Sequence, residues 1–291
     1  METDEFKFPS DKKSSRHHYI PKFLLNGFTN SDGKLFVFDK LKNRVLNKPV
    51  SPKWIFFERD RNTIEINQIL ESSIIEDLLF SNVDNLTSKV VRYYQQEAIE
   101  KLDFNSKNTA EFEFFLINLF WRTPMTDHAA GDIMDRSVIK TKGIDPEKIR
   151  NDPAYRKIYR AALFKHHIDE IIKSGKNINK LITIHQSSNE IYLIGDNPIL
   201  FRRTPHLFSE FAEIDYLIAV SSQRLYSHTC RSLKNTLNNP RAYNASVIDQ
   251  SERYVACADR DFLKECVQIH DEVTKDGLNS SVKELAFQND L

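Results

Sequence analysis

The sequence predicts an α+β fold with an N-terminal arm and hairpin, a helical middle, and a C-terminal, mostly antiparallel sheet with helices. Three observations carry this reading. Alternating apolar runs of strand length stand near both ends of the chain, as in Leu35–Asp39 and Tyr254–Ala258. Between them, apolar residues recur at helical spacing, most plainly Phe112, Phe115, Leu116, Leu119 and Phe120. Strands and helices are segregated rather than alternating one by one, which separates α+β from α/β.

With 291 residues, 40% of them hydrophobic and 28% charged, the chain can bury a core without disulfide or metal staples. It divides into a loose leader over 1–15, a single domain over 16–280 and a tail over 281–291. The 41 basic and 41 acidic residues cancel, so a nucleic-acid partner would rest on a local patch. Lys12, Lys13, Arg16, His17, His18 and Lys22 form one such run. Cys230, Cys257 and Cys266 contain no CxxC pair and read as reduced thiols. The start has no apolar signal region, so a cytoplasmic location is expected. Phe114–Trp121, the most apolar stretch, is broken by Asn118 and falls far short of the ~20 residues of a membrane span. No membrane partner is expected. Neither GxGxxG nor GxxxxGK[ST] is present, which excludes those phosphate cradles.

Each element has a local cause. In Arg16–Phe28, RHHYIPKFLLNGF, Pro21 suits the first position of a short helix that Gly27 can end. Ile20 precedes a proline and is pushed towards extended backbone, so His17–Ile20 should run extended into that turn. Asp32-Gly33 turns the chain into Leu35–Asp39, with Val45–Val50 as hairpin partner. Ser51–Thr63 reads as a loop anchored by Trp54, Phe56 and Phe57, followed by the charged run Glu58–Arg61. A helix beginning at Ile69 follows, with Val83–Tyr94 as its continuation or a second helix, then one over Glu111–Arg122 and one or two over 146–174, ending at Gly175. Leu181–Gln186 and Ile191–Phe201 read as paired strands, and Tyr216–Ser221 and Leu225–Thr229 as two more. Helices near Ser232–Leu237, Arg241–Ser251 and Arg260–Val273 surround the strand Tyr254–Ala258.

The RHHYIPKFLLNGF segment resembles the opening of the prokaryotic family catalogued as domain of unknown function 4238. LFVFDK, WRTPMT, LIGDNPILF and YNASVIDQSERYVACA resemble, in order, its later segments. The position before the aspartate, often serine in that pattern, is Gly195 here. The resemblance implies a fold and a set of site positions, and no activity.

Those positions carry usable chemistry. On an extended strand His17 and His18 point to opposite faces, so one of them can enter a site as metal ligand or general base while the other packs. Asp196 and Asn197, ahead of Pro198 at a strand end, can hold a divalent cation, or can make a self-bonded turn. Arg122, at the end of an aromatic helix, needs a carboxylate or phosphate, with Asp196 or Asp127 as structural partner. His228 reads as an exposed strand histidine, with a place beside His17 or His18 and Asp196 as the alternative. Arg160 and His166 resemble the arginine-to-histidine spacing of HEPN-type ribonucleases, although Ala161 stands where those enzymes usually carry a polar residue.

Three functions are therefore carried forward. The first is a metal-assisted phosphodiester hydrolase, nuclease-like, with His17, His18, Arg122, Asp196 and Asn197 as catalytic residues. His18 and Asp196 would hold a divalent metal, and a nucleic acid or nucleotide would be the partner. The second is a non-enzymatic binding module whose His-His and Asp-Asn-Pro motifs are structural. The third is a metal-independent ribonuclease using Arg160 and His166. No Ser-His-Asp order, HExxH or GxSxG supports other hydrolases.

Overall fold

The computed structural model describes residues 16–66, 70–72, 75–127, 147, 151–174, 181–187, 190–203, 205, 213–229 and 239–287. The fold is mixed α+β with antiparallel sheets. The arm opens with strand β1 (Arg16–His18), then helix α1 (Lys22–Leu25) and a 3-10 turn over Asn26–Phe28. Leu24, Leu25 and Phe28 are fully buried, each contributing about 1.5–3 kcal/mol of apolar burial. Gly27 does not act as a left-handed helix end. Its importance is proximity: a Cβ there would meet the Gln95 Nε2 at 2.7 Å and the Val220 carbonyl at 2.9 Å.

The hairpin β2 (Phe36–Asp39) and β3 (Arg44–Val45) forms as expected, with Leu35 bridged to Val50. Asn43, at φ 45°, supplies the left-handed residue that turns the chain between them. Strand β4 (Phe57–Arg59) pairs antiparallel with β1, setting His17 opposite Glu58 and His18 opposite Phe57. A small hairpin, β5 (Ile64–Ile66) and β6 (Leu70–Ser72), precedes the helices.

The helical middle holds α2 (Ser81–Gln96, entered through a π-helical turn at Ile75–Phe80), α3 (Ser106–Arg122) and α4 (Pro153–Ser174). Asn105 caps α3 by accepting the Asn108 N–H at 2.9 Å. The helix stops where Thr123, ahead of Pro124, turns extended. Phe112, Phe115, Leu116, Leu119 and Phe120 are all buried, as their spacing requires.

Two four-stranded sheets complete the fold. The chain continues through β7 (Leu181–Gln186), β8 (Ile194–Gly195), β9 (Leu200–Phe201), β10 (Tyr216–Ser221), β11 (Arg224–Thr229), α5 (Pro240–Gln250), β12 (Tyr254–Cys257), α6 (Arg260–Lys275) and α7 (Asn279–Ala286). One sheet has the order β3-β2-β12-β8 and the other β7-β11-β10-β9. Ile191–Phe201 is therefore not one strand paired with β7. It is two short strands in different sheets, and the chain crosses between sheets at Asp196–Ile199. Pro198 lacks the N–H that a continuous ladder would need there. Strand β7 pairs with β11 instead.

The C-terminal segment also differs from the expected tail, because α7 covers most of it and buries Ala286 and Phe287. The helix expected near Ser232–Leu237, the leader and Cys230 lie outside the described residues. Cys257 and Cys266 are free and buried. Among the described residues no helix is long and apolar enough to cross a membrane.

Candidate functional site

The His-His-Tyr arm holds the backbone of the segments that flank its partner strand β4. His17 is buried, and its Nδ1 accepts the Asn62 N–H at 2.9 Å. His18 is half-buried and its Nε2 donates to the Pro52 carbonyl at 3.2 Å. The alternation expected of neighbouring strand residues is thus present, and each ring grips a different turn. Burial, with the charges of Lys22, Arg122 and Arg16, lowers the His18 pKa to about 4, so the ring is neutral at pH 7. The Tyr19 N–H donates to the Phe56 carbonyl at 3.0 Å. Phe56 sits at φ 57°, a costly conformation for a bulky residue. Two contacts hold it there: that hydrogen bond, and a fully buried ring packed edge-on against Tyr19 and Tyr254.

Asp196 performs the same task in the opposite wall. Its Oδ1 accepts the Glu252 N–H at 2.9 Å, and its Oδ2 accepts the N–H groups of Arg253 at 2.7 Å and Tyr254 at 2.8 Å. Burial pushes its carboxyl above the ordinary aspartate value, while the three backbone donors pull the other way. Lys40 completes the same turn by donating to the carbonyls of Ile248, Asp249 and Ser251, at the C-terminal end of α5. Asn197 is buried, its amide donating to the Met125 sulfur and its carbonyl accepting from Gln250 Nε2. Gly195 stands so close to Ser251 that a Cβ would collide with the serine hydroxyl.

Arg122 finds neither expected carboxylate. Its Nη1 pairs with Asp84 at 2.6 Å, and its Nη2 donates to the His18 carbonyl at 2.6 Å. Asp84 lies in the first turn of α2, where a negative charge also complements the helix dipole. Asp127 instead serves Arg61 (3.0 and 3.1 Å) and Arg160 (2.6 Å). Arg160 is buried, with its Nη2 on the Asn62 side-chain oxygen at 2.5 Å, so its guanidinium braces the interior. His228 is fully buried rather than exposed. It stacks on Tyr216 at 4.4 Å between centroids, and its Nδ1 lies 3.1 Å from the Ile214 carbonyl.

The motif residues thus converge on the backbone of two segments, 52–62 and 252–254. Those segments line a groove of about 520 Å³ formed by Trp54, Ile55, Phe56, Phe57, Glu58, Arg59, Arg253 and Tyr254. Trp54 was expected to anchor its loop inward. It is instead 50% exposed, with the Arg16 guanidinium 3.9 Å above its ring. Arg253 lies likewise over Tyr254 at 4.5 Å. In the sequence Trp54 stands out only as a loop anchor and Arg59 only as part of a charged run, while Arg253 carries no signal of its own. The available signal was an indole and a string of arginines within loops that the motifs turn out to hold. Among the described residues, no group of three or more His, Cys, Asp and Glu side chains is placed to hold a metal.

The family described as "Protein of unknown function (DUF4238)" matches residues 16–261. No curated protein and no solved structure matches the chain. The matched region covers the arm, both sheets and the helical middle, and the chain belongs to that family.

Proposed function

We propose that this member of the DUF4238 family is a non-enzymatic binding module. In this reading the His-His and Asp-Asn-Pro motifs form the frame of a binding groove. The observation that carries it is the saturation of Asp196: three backbone N–H groups on its two oxygens leave little room for a cation. His17 supports it in the same way, since its Nδ1 is committed to the Asn62 N–H. A frame of this kind fixes the walls at 52–62 and 252–254 and leaves the exposed side chains of Trp54, Arg59 and Arg253 to meet a ligand.

The competing reading is metal-assisted phosphodiester hydrolysis through His17 or His18, Asp196, Asn197 and Arg122. It requires Asp196 to exchange backbone donors for a divalent ion. Asp196→Asn separates the two. The frame reading expects a lower melting temperature with unchanged Mg²⁺, Mn²⁺ and Zn²⁺ titration calorimetry and no metal-dependent cleavage of nucleic acid by either protein. Metal-dependent cleavage by the wild type that disappears in Asp196→Asn, with the melting temperature kept, would replace the binding module with the hydrolase.

A further inference from the structure

We infer that the groove between Trp54–Arg59 and Arg253–Tyr254 binds single-stranded nucleic acid, an inference that rests on the binding-module reading. Charge is the first feature of the groove that suits such a ligand. Glu58 is the one acidic residue lining the groove, and it is paired with Arg61 at 2.6 Å. Lys53, Arg59 and Arg253 are exposed and form no ion pair among the described residues, and Arg16 stands at the rim over Trp54 and Phe57. The chain as a whole is neutral, and even with the exposed Asp60 and Glu252 beside the lining residues, Arg16, Lys53, Arg59 and Arg253 leave a local excess of cations that suits an anion.

The second observation is the kind of surface on which those cations lie. Trp54 is half exposed although it is the largest apolar side chain in its loop. Arginine planes lie over Trp54 and over Tyr254, with Lys53 Nζ 5.5 Å from the Trp54 ring. Aromatic faces interleaved with guanidinium groups take both components of a nucleotide, the base by stacking and the phosphate by charge. An acidic peptide would satisfy the cations but bring no base to stack on the half-exposed indole. Cations from four points, Arg16, Lys53, Arg59 and Arg253, exceed what one phosphate occupies, so the ligand that fits is a strand rather than a mononucleotide. The groove is lined by residues from two backbone segments that the motif residues hold from behind, so it is already formed before a ligand arrives.

The test is fluorescence anisotropy of a labelled single strand of about 12 nucleotides, as RNA and as DNA, on the full chain. Intrinsic tryptophan quenching is followed in parallel. Trp54 and Trp121 are the only two tryptophans, and Trp121 is fully buried, so quenching reports Trp54. Binding is expected to weaken about 5- to 100-fold in Trp54→Ala, and much less in Trp54→Phe. Arg59→Glu and Arg253→Glu should each weaken binding and flatten its salt dependence by about 0.7 in log–log slope per lost phosphate contact. Because these side chains are exposed, melting temperatures should stay within ~2 °C of wild type. Four results would each overturn the inference. They are no binding at low salt, affinity indifferent to all three groove variants, a duplex bound as tightly as a single strand, and a mononucleotide bound as tightly as the strand. Loss of strand binding in the wild type alongside a destabilised, metal-indifferent Asp196→Asn would end the nucleic-acid inference and leave the frame reading standing.

Discussion

Asp196 and Asp127 are both carboxylates turned towards the interior, and the protein satisfies them by opposite means. Asp196 accepts hydrogen bonds from the backbone N–H groups of three consecutive residues, and the Lys40 ammonium acts on it through its charge alone. Asp127 meets two guanidinium groups carried by a loop and a helix far apart in sequence, Arg61 and Arg160. The first arrangement shapes a single turn. The second ties three segments together, because Arg61 also donates to the carbonyls of Arg122 at 2.9 Å and Thr123 at 2.9 Å. The difference teaches that the motif aspartate holds one groove wall, while the Asp127 cluster joins segments far apart in sequence and is expected to matter more for global stability.

Breaking the Arg61 hub should have the largest effect. Arg61→Met removes the guanidinium from Glu58, Asp127 and two buried carbonyls at once. A loss of about 3–5 kcal/mol follows from stranding buried partners. The melting temperature should fall on the order of 10 °C in a thermal scan followed by circular dichroism. Asp127→Asn should come next, since it leaves two buried guanidinium groups facing a neutral amide. A melting temperature within ~2 °C of wild type for Arg61→Met would show that the hub carries no net stability.

Asp196→Asn should cost less, about 1–3 kcal/mol. The amide oxygen can still accept from two donors, but its NH₂ would face the remaining backbone N–H. The comparison between the two aspartates is inverted if Asp196→Asn proves more damaging than Asp127→Asn in the same chemical denaturation series. A finer version uses hydrogen exchange. Asp196→Asn should raise exchange at Glu252, Arg253 and Tyr254, whereas Asp127→Asn should raise it across the end of α3.

The parts of this architecture that the sequence discloses are those with local causes. The arm, the hairpin and the α3 stripe follow from proline placement, a turn dipeptide and helical spacing, all within a few residues. The crossing between sheets at Asp196–Ile199 was hidden because strand partners are chosen far along the chain. Leu200 pairs with Leu217, and Gly195 pairs with Val255. The same distance hid the partner of Arg122. A buried guanidinium predicts a carboxylate, but which one depends on how α2 packs against α3. For the candidate site, His17, His18 and Asp196 were legible as unusual polar residues. Their targets were backbone groups, which leave no mark in side-chain identity.

The smallest expected effect concerns protons in the same interior. His18 has its pKa lowered from 6.5 to about 4, chiefly by burial, and His167 has its own lowered to about 3 for the same reason. Both are therefore neutral in the folded protein where the unfolded chain would already bind a proton. The neutral rings contribute their full stability above pH ~6.5. That contribution is lost as pH falls from 6.5 towards the folded values, because protonation then favours the unfolded chain. The midpoint of urea unfolding should consequently decline from pH 6.5 to pH 4 and be flat, from this source, between pH 7 and 8. His18→Gln keeps a side-chain N–H for the Pro52 carbonyl but removes the titrating ring, so it should flatten the decline. His167→Phe should flatten it further, although it also forfeits the 3.1 Å hydrogen bond from the Trp121 indole. His18 is partly exposed and solvent screens its charge, so the His18→Gln change should be the smaller of the two. A pH profile unchanged in both variants would show that neither buried ring carries the acid sensitivity.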